Sequence, residues 1–182
     1  MSKQTTLINI WAGPGAGKST TAAGLFERLK LAGHSAELVT EYVKAWAWRG
    51  EKIGEFDDLY ITAKQLRRES ALYGKVDYIV TDSPIGLGAV YETKYRPASE
   101  LMRNVSRALR DRQLAAGIRV LDFSLERTKP YVAEGRYESA EQALHVDELC
   151  RAYAEFLNPR AMHGPACATE LFTTLRDLGV VP

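Results

Sequence analysis

The stretch AGPGAGKSTT, residues 12–21, decides the fold. It follows the apolar and β-branched run TLINIW (Thr6 to Trp11), which reads as a buried parallel strand. It leads into Ser19 to Leu31, where Ala22, Leu25, Phe26 and Leu29 recur at helical spacing. A glycine, four spacers and then Gly-Lys-Ser/Thr is the pattern of a phosphate-binding loop, and counting back from Gly17-Lys18-Ser19 puts its first position on Ala12. Alanine fits there if its φ is negative, because only left-handed geometry demands glycine. Gly13, Gly15 and Gly17 let successive backbone N–H groups turn inward and form an anion nest at the positive end of the following helix. Glycines and a lysine also make ordinary turns, but the flanking strand, the flanking helix and the Lys-Ser pair together argue against that. The residues Gly13, Pro14, Gly15, Ala16, Gly17, Lys18, Ser19 and Thr20 are therefore expected to cradle the phosphates of a nucleotide. Lys18 supplies a charge for the β and γ phosphates, and Ser19 a hydroxyl for Mg²⁺.

The remaining pattern alternates strands and helices. Ala36 to Thr40 reads as a second strand, Asp58 to Tyr73 as a long helix, and Asp77 to Thr81 as a third strand halted at Asp82-Ser83-Pro84. Ala98 to Ala116 reads as a helix and Ile118 to Phe123 as a fourth strand. Ser139 to Phe156 reads as a helix capped by Ser139, with Glu141 and Gln142 near the acid or amide position of a capping box. Such alternation implies an α/β fold, a parallel sheet covered by helices on both faces. The tail, Thr169 to Leu178, has leucines at helical spacing, and no fifth strand is legible in it. With 182 residues, 46% of them apolar and 26% charged, the chain is expected to be a single domain spanning residues 1–182. The N-terminal segment lacks the form of a secretory signal and no stretch is long enough to span a bilayer, so a cytoplasmic protein without a membrane partner is expected. Cys150 and Cys167 lie far apart and are expected as free thiols. His34, His145 and His163 are equally scattered and are expected to be structural or superficial.

A nucleotide loop alone does not name a reaction. Motor-type ATPases commonly end the metal-facing strand in Asp-Glu; here Asp82 is followed by Ser83. The Asn-Lys-x-Asp guanine reader of GTPases is absent. A small-molecule kinase needs a carboxylate beside the acceptor hydroxyl, cations over the transferring phosphoryl group, and a lid that excludes water. Glu41 lies just past the second strand and Asp82 just past the third, so both project at the carboxyl edge where the phosphate loop lies. Either is placed to accept the hydroxyl proton or orient the hydroxyl, and Asp82 alternatively to hold Mg²⁺. Helix capping or a surface ion pair is the bland alternative for both. The polar excursion at residues 125–139, LERTKPYVAEGRYES, carries Arg127, Lys129 and Arg136, with Gly135 as a hinge. It reads as a lid whose cations clamp the γ phosphate, rather than as a merely solvated loop.

AGPGAGKST, the Thr40-Glu41-Tyr42 stretch, YITAKQLRRE, VTDSP and RTKPYVAEGR together resemble P-loop kinases of the nucleoside and nucleotide kinase superfamily, particularly phage-encoded AAA-like kinases. The resemblance spans most of residues 5–137. It implies a three-layer P-loop kinase fold with strand order 2-3-1-4-5 and a mobile lid, and ATP and Mg²⁺ are expected as cofactors from the loop chemistry above. It also implies that Glu41 and Asp82 are the superfamily's acids and that Arg127 and Arg136 are its lid arginines. Within the group, phage kinases that phosphorylate 5-hydroxymethyluracil in DNA, a step of thymidine hypermodification that evades restriction, are similar in size and layout. Kinases of free deoxynucleosides or deoxynucleotides share the same motifs. A non-catalytic nucleotide-binding regulatory module is the rival from another class. For a DNA acceptor, Arg103, Arg107 and Arg110 would form a basic stripe on one helix, with Arg67 and Arg68 on another. The net charge of only +1 argues equally for solvation or a small ligand. Trp46 and Trp48 are candidate stacking residues for a base, and Gln65 a candidate polar contact to a base edge.

Overall fold

In the computed structural model, which describes residues 3–132, 134 and 137–182, the twelve elements run in the order β1 (Thr6–Trp11), α1 (Lys18–Leu31), β2 (Ala36–Val39), α2 (Lys44–Trp48), α3 (Asp57–Ser70), β3 (Tyr78–Thr81), α4 (Leu87–Tyr95), α5 (Leu101–Ala115), β4 (Arg119–Glu126), α6 (Ala140–Leu157), β5 (Met162–Pro165) and α7 (Ala168–Asp177). The strands form one five-stranded sheet, all parallel, in the order β2-β3-β1-β4-β5. This is the order that the sequence resemblance implies.

β1 is central and buried along its whole length, which explains why it reads as a continuous apolar run rather than an alternating one. Its side chains still obey the two-residue period. Ile8 and Ile10 join Leu25 and Leu29 of α1 and Leu171 and Leu175 of α7 in one cluster. Trp11 packs with Val90 of α4, Met102 of α5, and Val146, Cys150 and Tyr153 of α6, while Leu7 packs with Ile79 and Val120. Each fully buried leucine stabilises this arrangement by about 1.5–3 kcal/mol relative to an exposed one. Hence Leu25 and Leu29, both 0% exposed, are what hold α1 and the loop before it against the sheet.

Several expectations are corrected. A fifth strand exists, and its residues, Met-His-Gly-Pro, contain no apolar run because it is a short, half-exposed edge strand on which proline is tolerated. β4 continues past Phe123 to Glu126 because Phe123 to Glu126 pair in register with Met162 to Pro165. Leu125, buried at 6%, therefore belongs to the core, and the excursion begins after Glu126. The basic stripe on α5 is not a surface feature as a whole. Arg110 lies on the buried face with Met102, Ser106 and Gln113, and pairs with the fully buried Asp122 of β4. Arg103 lies over the Phe156 ring, its guanidinium 4.5 Å from the centroid. The i, i+4, i+7 spacing defined a helical face, but an acid on the strand beneath pulled one member of it inward. The capping box of α6 is present: Ser139 Oγ accepts from Gln142 N and the Gln142 side chain accepts from Ser139 N. Among the described residues no helix is long and apolar enough to cross a membrane.

Candidate active site

The loop between β1 and α1 takes the geometry that its glycines permit. Gly15 and Gly17 adopt φ of +77° and +100°, a region that side chains disfavour. No non-glycine residue among those described has a positive φ, so Ala12 sits at the first position of the loop without strain. α1 begins at Lys18 with no side-chain cap and no acid in its first turn, so its first backbone N–H groups and the positive end of its dipole could take an anion. Lys18 Nζ donates to Gly13 O at 2.9 Å, folding the ammonium back across the loop. Ser19 and Thr20 are exposed in the same turn.

β2 and β3 are neighbours in register, so the residues after them share one edge. Asp82 is 2% exposed, and its Oδ1 accepts from Glu41 N at 2.9 Å. Burial lifts the Glu41 carboxyl above its ordinary range; the Lys18 charge opposes the lift and Asp82 adds to it. Lys18, Glu41 and Asp82 thus form one electrostatic neighbourhood beside the phosphate loop. The turn after β3 is fixed by Thr81 Oγ1, which accepts from Ser83 N at 3.1 Å and from Gln65 Nε2 at 3.3 Å. Gln65 Oε1 accepts from Tyr42 N at 3.2 Å. Gln65 is buried and spends both ends of its amide on the protein, which corrects its reading as a contact to a base edge.

Arg127 lies beside the loop. Its Nη2 donates to Pro14 O and its Nε to Asp147 Oδ2 of α6, both at 2.8 Å. Its Nη1 is buried and has no hydrogen-bond partner among the described residues. Lys129 is exposed, and Arg136 and Gly135 lie outside the described residues. The excursion is tied back by Tyr137 Oη donating to Glu51 O at 2.5 Å and by Tyr131 Oη donating to Glu138 O. Glu138, 8% exposed, faces Lys94 Nζ of α4 at 3.6 Å. Asp147, Lys94 and Glu138 escaped the sequence reading because each is an isolated charge whose partner is distant in the chain.

After Glu41, the rings of Tyr42, Trp46 and Tyr60 meet at centroid separations of 5.9–6.2 Å, with Arg68 5.0 Å over Tyr42 and Lys64 5.2 Å over Tyr60. Trp46 belongs to this half-exposed cluster rather than to the core, and Trp48 is exposed. The histidines lie elsewhere: His34 edges onto Tyr78, while His163 and His145 face Glu155 and Glu148. Both cysteines are free, and burial pushes the Cys150 thiol up to about 12, leaving it inert.

The crystal structure of APE1195 superposes with a TM-score of 0.53 at 15% identity, covering 98% of each chain. The Mycobacterium tuberculosis APS kinase CysC in complex with AMPPNP and APS is similar over 66% of this chain and 62% of that one, with a TM-score of 0.46 and 14% identity. At these identities the likeness concerns the fold alone. No curated protein matches the sequence. The family model described as AAA domain matches residues 7–162, and the strand, glycine-rich loop and helix that it spans carry the geometry of a P-loop: the chain belongs to the AAA domain family of P-loop proteins.

Proposed function

We propose that the protein is an ATP-dependent kinase that moves the γ phosphate to a hydroxyl of a nucleotide-type acceptor. The observation that carries this reading is the convergence of the Glu41–Asp82 pair with Lys18 at the phosphate loop, with Arg127 hydrogen-bonded to the same loop. In the proposed step the acceptor oxygen forms a bond to the γ phosphorus, the bond to the β–γ bridging oxygen breaks, ADP leaves, and the hydroxyl proton passes to Glu41. A carboxyl raised by burial suits that role, though orienting the hydroxyl matters more in a loose transition state. Asp82 has one oxygen committed to Glu41 N, and its other oxygen and the Ser19 hydroxyl are the groups that would hold Mg²⁺. Among the described residues no three acids, histidines or cysteines cluster as a self-sufficient metal site. That fits Mg²⁺, which takes one or two protein ligands and completes its shell with substrate phosphates and water. When bound, the ion would neutralise charge on the β and γ phosphates. Lys18 and the loop would hold those phosphates, with Gly13 to Thr20 lining them, and Arg127 would act from beside the loop, with Arg136 the second cation that the resemblance implies.

The acceptor suggested by sequence resemblance is 5-hydroxymethyluracil in DNA, which would make the protein a phage base-modification kinase. A second reading, a free deoxynucleoside or deoxynucleotide, gains from the burial of Arg110, which removes one cation from the surface offered to a polymer backbone. The test is transfer of labelled γ phosphate from ATP to three acceptors: DNA containing hydroxymethyluracil, ordinary DNA with free 5′ hydroxyls, and free deoxynucleosides with their monophosphates. Label on the modified DNA alone supports the first acceptor, and label only on small molecules overturns it. Tight ATP binding with no transfer to any of them would make the protein a nucleotide-binding regulatory module instead. Asp82→Asn is expected to fold normally and to lose most transfer.

A further inference from the structure

We infer that Asp147 is a positioning residue that fixes Arg127 for recognition of a γ phosphate and locks it to the backbone of the phosphate loop; this rests on the kinase reading for its catalytic consequence, though not for its consequence for binding. Asp147 lies on α6, and its two oxygens are spent on different parts of the site. Oδ1 accepts from Gly13 N at 2.6 Å and Oδ2 from Arg127 Nε at 2.8 Å. The side chains of Arg127 and Asp147 are 12% and 18% exposed, so the pair is partly desolvated and its geometry is held more firmly than that of a surface ion pair.

The guanidinium is consequently fixed on two of its three nitrogens. Nε is held by Asp147, Nη2 by Pro14 O at 2.8 Å, and a planar group held at two points has no remaining freedom of direction. The third nitrogen, Nη1, is buried without a hydrogen-bond partner among the described residues, and a Cβ added to Gly15 would lie 3.2 Å from it. The Tyr131 ring covers it there, its centroid 5.8 Å from the guanidinium carbon, so Nη1 lies between that ring and the phosphate loop with no hydrogen-bond acceptor among the described residues, a costly arrangement for a buried cationic N–H. Gly13 fits the same device. A Cβ there would come within 2.5 Å of Ala143 O and 2.8 Å of Asp147 Oδ1, so only glycine lets the loop backbone approach α6 closely enough for the Gly13 N bond. The phosphate loop, α6 and the first residue of the excursion are thereby one unit, and a displaced Asp147 moves the arginine and the loop together.

The test is a double-mutant cycle of Asp147→Asn and Arg127→Ala, read as the ratio of affinities for AMPPNP and ADP by calorimetry, and as kcat for transfer where an acceptor is found. Each single variant is expected to lower the preference for AMPPNP over ADP five- to tenfold, and kcat by at least as much with a smaller effect on KM for ATP. The double variant is expected to be no worse than Arg127→Ala. Losses that add would overturn the inference, because Asp147 would then act other than through Arg127. Should Asp147→Asn fail to fold, the wild-type protein carries the test by NMR: the Arg127 side-chain Hε, identified by its loss in Arg127→Lys, is expected to exchange slowly. Rapid exchange of that proton overturns the inference. A wild type that prefers AMPPNP and loses the preference in both variants, yet transfers phosphate to nothing, would sink the kinase reading and leave the role of Asp147 standing.

Discussion

Glu69→Gln is the perturbation whose magnitude follows most directly from the structure. Glu69 is 0% exposed on the inner face of α3; Tyr73 Oη donates to its Oε2 at 3.4 Å, and Oε1 has no hydrogen-bond partner among the described residues. Burial raises its carboxyl from 4.5 to about 8, because the Tyr73 hydroxyl, the nearby Gln65 amide and the charge of Arg110 do not offset the loss of water. A folded value above the unfolded one means that the native state holds the proton while the unfolded chain releases it. The contribution to stability is therefore complete below the unfolded value and declines as pH rises from there through about 8. At about 1.4 kcal/mol per pH unit, the decline between pH 5 and pH 7 is about 3 kcal/mol, an upper figure for one fully desolvated group. Glutamine has nearly the same shape and no proton to release, so the variant should lack this decline. Urea unfolding followed by tryptophan fluorescence from about pH 5 to about pH 9 measures it. The midpoint of the wild type should fall relative to that of the variant by roughly 1 M urea between pH 5 and pH 7. The absolute stability of the variant at low pH is not the readout, since the added amide N–H has its own burial cost; the difference in slope is. Parallel pH profiles for the two proteins would refute the reasoning, because the carboxyl would then be ionised inside the fold at an ordinary pKa.

Lys18→Ala is expected to reduce phosphoryl transfer by about 3 kcal/mol of transition-state stabilisation, on the order of a hundredfold in kcat, and near-normal turnover would remove the phosphate loop from the reaction. For Glu41, whose carboxyl is raised by burial, transfer should increase with pH as the group ionises, through a limb above the ordinary carboxylate range; Glu41→Gln should abolish that limb in a kcat profile. Asp122→Asn should cost about 3–5 kcal/mol in denaturant unfolding, because it leaves the buried Arg110 charge without its counterion. The same carboxylate also accepts from Asn9 at 3.0 Å, Trp11 at 2.9 Å and Asn158 at 3.0 Å, so pairing Asp122→Asn with Arg110→Met should recover part of the loss.

The site was legible in part. Ala12 to Thr20 could be read as a phosphate loop because its requirements are local: positive φ at Gly15 and Gly17, a cation and a hydroxyl at fixed offsets, a strand before and a helix after. Glu41 and Asp82 could be placed at one edge because parallel neighbours end together, and the bond between them confirms the shared edge. By contrast, α2 and α4 were missed as helices, the first being one short half-exposed turn and the second following Asp82-Ser83-Pro84, where proline obscures what comes next. β5 was missed because an edge strand needs no apolar run.

What the sequence determined by itself was the class of fold and the place of the phosphate loop, since hydrophobic period and backbone freedom are properties of residues near one another in the chain. Which charges are available was decided only by the tertiary structure. Arg110 looks like part of a surface stripe until Asp122 is found beneath it, and Gln65 looks free until Tyr42 and Thr81 take both ends of its amide. Arg127 has no evident direction in the sequence; it acquires one from Asp147, twenty residues further along the chain, and from Pro14, more than a hundred residues before it. A long polar side chain spends its charge on whatever the fold brings within about 3 Å, and that partner is set by the packing of helices on the sheet rather than by sequence neighbours.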